Sequence, residues 1–148
     1  MFLGSHSITM DAKGRVAIPT RVRDLLSGHC NNHIVLTAST EDKCLILYPK
    51  PEWDEIAPKI ESLPSRKSKF VRRTKLLMLG YANEMEVDAN GRILIPPTLR
   101  DYAGLDKKLI IVGQGKKLEI WCEDKFKAWI EEDDDEETMP DELAELDF

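Results

Sequence analysis

The chain has 148 residues, 42% apolar and 32% charged, a composition that belongs to globular proteins and excludes a disordered or fibrous chain. Its apolar runs, such as Leu76-Leu77-Met78-Leu79 and Leu109-Ile110-Ile111-Val112 at four residues each, are far too short for a membrane-crossing helix. The formal charge of −6 does not exclude a nucleic-acid partner, because eleven acids and no base lie in residues 131–148, leaving 21 bases against 16 acids, a net +5, over residues 1–130.

The segment Met1-Phe2-Leu3-Gly4-Ser5-His6 has neither the basic nor the extended apolar region of a secretory leader, so a cytosolic location is expected. The widely spaced Cys30, Cys44 and Cys122 fit a reducing compartment better than a disulfide framework. A short strand leads into Asp11-Ala12-Lys13-Gly14, where the Asp can accept from N–H groups ahead of it and Gly supplies the positive φ of a type I turn with a G1 bulge. A second strand starts at Arg15 and ends at Pro19. A helix is predicted from Thr20 to Leu26, with Val22, Leu25 and Leu26 on one face and Gly28 just beyond its end. His29, Cys30 and His33 lack a fourth ligand at a sensible spacing, so neither a metal site nor a cofactor is expected. A hairpin (Ile34–Thr37, Leu45–Tyr48) and a closing helix with Trp53 and Ile56 complete the unit. From Pro64 to Gly80, apolar Phe70, Leu76, Leu77 and Leu79 lie among six bases between Arg66 and Lys75. The pattern predicts a helix whose basic outer side is either solvated or in contact with phosphates.

The same unit then recurs. Residues 11–24 align at a shift of 77 with residues 88–101, and eight of the fourteen positions are identical, including Asp11/Asp88, Gly14/Gly91 and Arg15/Arg92. The twin helix is expected from Thr98 to Ala103, stopping at Gly104, and a second hairpin and closing helix carry Trp121, Phe126 and Trp129. The expected organisation is residues 1–63 and 80–130 as two domains, 64–79 as a basic helical connector and 131–148 as an acidic tail. A unit of roughly 55–60 residues, mostly short strands, is marginal alone. The two copies are therefore expected to cover each other's apolar faces in one pseudo-twofold, mainly β body with short helices.

The repeated Asp-x-x-Gly-Arg sets an arginine on the first residue of a returning strand, at the rim of a rigid turn. A guanidinium mounted this way loses little rotamer entropy on docking and can bond a phosphate or the O6/N7 edge of guanine bidentately. The plain alternative is an Asp–Arg pair that only stabilises its own turn.

With the opening Met1-Phe2-Leu3-Gly4, the paired Asp11–Pro19 and Asp88–Pro96 motifs and the step Tyr48-Pro49 with Glu52-Trp53, residues 1–130 resemble the bacterial MraZ family. The resemblance implies two tandem AbrB-like swapped-hairpin β-barrel units, ring-shaped homo-oligomers and repression of transcription at the division and cell-wall gene cluster, in the cytoplasm and associated with the nucleoid. It also implies a DNA-binding role for Asp11 and Arg15 and for Asp88 and Arg92. On this reading Arg15 reads or clamps the duplex, Lys13 supplies phosphate charge, and Asp11 and Gly14 shape the loop. Asp88, Gly91, Arg92 and Asn90, which stands where the first loop has Lys13, play a secondary part.

One loop offers too few contacts for an operator. Several identical loops on a ring would gain avidity against short direct repeats of promoter DNA. No nucleophile elbow, phosphate-cradling loop or zinc-protease motif occurs, so an enzyme is not expected. Trp53, Trp121 and Trp129 are expected in the core rather than as base-stacking platforms. The alternative function is an antitoxin-like interaction module whose acidic tail engages a partner protein.

Overall fold

Alternating apolar residues and turn signals build the same order of elements twice in the computed structural model, which describes residues 1–133 and 137–148. The first half comprises β1 (Ser5–Thr9), β2 (Arg15–Ala17), α1 (Thr20–Cys30), β3 (His33–Ala38), β4 (Leu45–Pro49) and α2 (Lys50–Ser62). The connector helix α3 (Lys69–Met78) starts at Ser68, whose hydroxyl accepts from the Val71 amide at 3.2 Å. The second half comprises β5 (Asn83–Glu86), β6 (Arg92–Leu94), α4 (Pro97–Ala103), β7 (Lys108–Gly113), β8 (Leu118–Cys122) and α5 (Glu123–Ile130), and the short α6 (Asp141–Ala144) follows in the tail.

The halves are interlocked. Six antiparallel strands form one sheet in the order β1-β7-β8-β4-β3-β5, and β2 pairs with β6 in a separate ribbon. Exchanging the halves turns the sheet order into itself read backwards, which is the pseudo-twofold expected of the repeat. The first strand of each half lies against the third strand of the other, as in Ile8 opposite Leu109 and Met85 opposite Ile34. The sheet ends at β1 and β5 and stays open rather than closing into a barrel.

Strand alternation divides the core between the two faces of the sheet. On one face Ile34, Leu36, Leu45, Leu47, Leu109 and Ile111 meet Val16 and Ile93 of the ribbon, Val22 and Leu26 of α1 and Leu99 of α4. On the other, Val35, Ile46 and Tyr48 meet Trp53 and Ile60 of α2 and Met78 of α3, while Ile110 and Trp121 meet Phe126 of α5. The ribbon and the connector helix therefore cover opposite faces. The buried Thr37 hydroxyl fastens the C-terminal end of α3 by donating to the carbonyls of Met78 (2.8 Å) and Leu77 (3.2 Å).

Two local expectations are corrected. Helix α1 does not stop before Gly28; it continues to Cys30 and is terminated by Asn31, whose left-handed backbone (φ 53°) sends its N–H back to the last turn. Gly28 lies inside the helix with open space around it, so its missing side chain does not break the turn. Trp53 and Trp121 are in the core, 8% and 5% exposed, but Trp129 is 47% exposed. It lies near the end of α5, with its ring centroid 5.9 Å from that of Trp121, and closes the aromatic cluster from outside.

Candidate nucleic-acid interface

The two Asp-x-x-Gly-Arg turns have nearly the same backbone. In the first, Asp11 Oδ1 accepts from the amides of Lys13 and Arg15, both at 2.9 Å. The Asp11 amide donates to the Arg15 carbonyl and the Gly14 amide to the Asp11 carbonyl, each at 3.0 Å. In the second, Asp88 Oδ1 accepts from Asn90 (2.8 Å) and Arg92 (2.9 Å), with matching backbone bonds at 3.0 and 2.9 Å. Gly14 (φ 90°) and Gly91 (φ 75°) supply the left-handed residue that each turn requires.

The loops differ at the side chain. Arg15 Nε donates to Asp11 Oδ2 at 2.9 Å, an ion pair that remains about half exposed. The amide of Arg15 holds the Asp11 carboxyl below the usual carboxylate range; desolvation opposes that effect, and the guanidinium and the Lys13 amide reinforce it. The terminal nitrogens of Arg15 make no hydrogen bond among the described residues, so the planar end of the fork faces outward. Arg92 has no side-chain hydrogen bond or ion pair among the described residues, and its mount is correspondingly looser.

The ribbon brings the two arginines together. β2 and β6 pair with Arg15 opposite Leu94, Val16 opposite Ile93 and Ala17 opposite Arg92. Val16 and Ile93 point into the core, 1% and 3% exposed, and burial of each contributes about 1.5–3 kcal/mol. Their inward direction sends Arg15, Ala17, Arg92 and Leu94 outward, and all four are exposed. One strand across and two residues along separate the arginine Cα atoms by about 8 Å on this outer face. Lys13 and Asn90 are exposed beside them in the loops.

Each loop is also held from the other half. The Gly14 carbonyl accepts from the Ile95 amide at 2.9 Å, and the Gly91 carbonyl from the Ile18 amide at 2.8 Å. Beneath Gly14 lies the guanidinium of Arg100, where an added Cβ would stand 2.9 Å from its Cζ; Arg23 lies in the same way beneath Gly91. The Nε atoms of Arg23 and Arg100 are buried without an acceptor among the described residues. These two arginines were not singled out in the sequence, yet they align in the repeat, and that identity was the available signal.

The remaining candidates fall elsewhere. His29 Nε2 lies 3.5 Å from Glu52 Oε1 and His33 Nε2 lies 3.1 Å from Glu86 Oε1, so the two imidazoles are directed to separate carboxylates. Cys44 is buried, and burial followed by the charge of Glu119 pushes its thiol up to about 12. Among the described residues no helix is long and apolar enough to cross a membrane. Of the acidic tail, Asp134, Asp135 and Glu136 lie outside the described residues.

The family model described as "MraZ protein, putative antitoxin-like" matches residues 1–75 and 78–147. The chain is 55% identical over 146 residues to a protein of Saccharophagus degradans named Transcriptional regulator MraZ, with 99% of each chain covered. It is 53% identical over 146 residues to the protein of that name from Marinobacter nauticus, covering 98% of this chain and 97% of the relative. A third of that name, from Pseudomonas aeruginosa, is 44% identical over 150 residues with 99% of each covered.

Proposed function

The chain belongs to the MraZ family, and from that membership we propose that it is a double-stranded DNA-binding transcriptional regulator, not an enzyme. It acts as a repressor of the division and cell-wall gene cluster, binds short direct repeats as an oligomeric ring, and is associated with the nucleoid. The observation that carries the reading is the outer face of the β2–β6 ribbon, where Arg15 and Arg92 stand diagonally across the two strands. A two-stranded ribbon fits the major groove of B-DNA, about 12 Å wide, and an arginine fork there can pair with guanine O6 and N7. Arg15, held by Asp11, is the reader or clamp. Lys13 supplies phosphate charge, and Asp11 and Gly14 shape the loop. Arg92, with Asn90, Asp88 and Gly91, has the secondary part, because its guanidinium lacks the bracing that Arg15 has. Leu94 beside Arg15 offers an apolar contact of the kind made with a thymine methyl group.

Fluorescence anisotropy with a promoter fragment bearing repeated short sites tests this. Arg15→Ala should abolish specific retention while the oligomer persists, and wild-type log K should fall with log salt at about −0.9 per phosphate neutralised. Unchanged binding by Arg15→Ala removes the loop from the interface.

The antitoxin-like description of the family favours a second reading, in which the acidic tail engages another protein. Deleting residues 131–148 separates the two. Loss of a co-purified protein with DNA affinity unchanged supports the partner-protein reading.

A further inference from the structure

The outer face of α3 has no use in the proposed DNA contact. Lys69, Arg72 and Arg73 are exposed at the i, i+3 and i+4 spacing of one helix face, Leu76 continues the stripe at 53% exposure, and Phe70 beside it is 81% exposed. Arg66 and Lys67 precede them, and none of these bases forms an ion pair among the described residues. Because α3 packs through Met78 over Val35 while the ribbon packs over the opposite face of the sheet, a duplex on Arg15 and Arg92 of this chain does not reach it.

The chain carries a matching surface that it leaves unused. Residues 137–148 contain five acids, no base, and Met139, Leu143, Leu146 and Phe148, exposed by 62%, 45%, 61% and 98%. Acids and apolar groups alternate there much as bases and apolar groups do on α3. The six residues between the end of α5 and this segment, 131–136, can span at most about 20 Å, enough to set the segment clear of α5.

We propose that residues 137–148 of one copy dock on the outer face of α3 of a neighbouring copy, with the acids of the tail against Lys69, Arg72 and Arg73 and its leucines and Phe148 against Phe70 and Leu76. The occupant is a second copy because both surfaces stand exposed on the single chain, and a complementary pair carried on one molecule joins molecules head to tail. Twelve residues bury too little to reach the roughly 1,200 Å² of a stable standard interface, so the contact tightens neighbours already assembled. The inference therefore rests on the oligomeric reading above.

The test uses the full chain, with ¹⁵N-labelled and unlabelled copies unfolded, mixed and refolded together, then treated with a zero-length carbodiimide and analysed by mass spectrometry alongside light scattering. Heavy–light cross-links from Lys67 or Lys69 to Glu142, Glu145 or Asp147 are expected. They should fall about tenfold in the Arg72→Glu/Arg73→Glu variant and severalfold in Phe148→Ala. A monomer by light scattering overturns the oligomeric reading and this inference with it. An oligomer that gives no such links, links only within one isotope, or links to Lys13 of the ribbon overturns this inference alone. So does a charge-reversed α3 that keeps the links and loses DNA affinity, which would assign the surface to phosphates.

Discussion

Replacing Gly14 by alanine separates two demands that the first loop places on one residue. The backbone there has φ 90°, and holding an L residue in left-handed conformation costs about 1–2 kcal/mol. An added Cβ would also stand 2.8 Å from the Ile95 carbonyl oxygen and 2.9 Å from Arg100 Cζ, and because the first of these is backbone, relief requires the ribbon to move. Overpacking of this kind adds about 1–3 kcal/mol. The total, about 2–5 kcal/mol, lowers the melting temperature by about 4–20 °C at the 2–4 °C per kcal/mol usual for this chain length. Gly115 provides the control, since its φ is 83° but nothing lies within 4 Å of its Cβ position. Gly115→Ala should therefore lose only the conformational part, about 2–8 °C. Gly28→Ala, inside α1 with open space around it, should gain stability by about 0.5–1 kcal/mol. Calorimetric melting of the three variants reads the ranking. If Gly14→Ala melts no lower than Gly115→Ala, the crossing of the Ile95 backbone and Arg100 beneath the loop does not constrain it, and the account of a rigid mount for Arg15 fails.

Asp11 has its carboxyl below the ordinary range because the Arg15 amide donates to it, so its contribution to stability is complete above the unfolded value near 3.9 and is lost as pH falls through the lower folded value. Asp11→Asn should lack that part of the acid unfolding limb below about pH 4, read by circular dichroism; superimposable limbs would count against the bond network. With its thiol pushed up to about 12, Cys44 should resist iodoacetamide at pH 8 in the folded chain and react once urea unfolds it, as mass spectrometry would show. Thr37→Val leaves the Met78 carbonyl without its side-chain donor, while the Leu77 carbonyl keeps the Tyr81 amide, costing about 1–3 kcal/mol and lowering the melting temperature by about 2–12 °C. No change in melting would mean that the end of α3 is held by packing alone.

Local chemistry was legible in the chain where one residue type answers one geometric need. Gly after Asp-Ala-Lys or Asp-Ala-Asn announces each turn and helix α1 begins at Thr20 as expected, whereas the second strand stops at Ala17, two residues before Pro19. Where two residues can meet the same need the sequence is ambiguous: Gly28 has the composition of a helix terminator, but Asn31 adopts the left-handed conformation instead. Trp129 follows the apolar spacing of α5, but spacing does not say how far a helix projects beyond the sheet, and its ring is half exposed. Pairing was the least legible feature. A period of two marks β1 as a strand without saying that its partner is β7 of the other half, and so the common ribbon that unites Arg15 with Arg92 is visible only in three dimensions. The same holds for Arg23 and Arg100, whose importance lies in which glycine each lies beneath.

The crosswise bonds from Ile95 to Gly14 and from Ile18 to Gly91 have an evolutionary consequence. A gene for one half alone would encode a protein able to finish its fold only by borrowing strands from an identical molecule, and every change in its loop would appear twice in the product. In the tandem chain that symmetry constraint is absent, so Lys13 and Asn90 can differ while the scaffold that supports them stays shared.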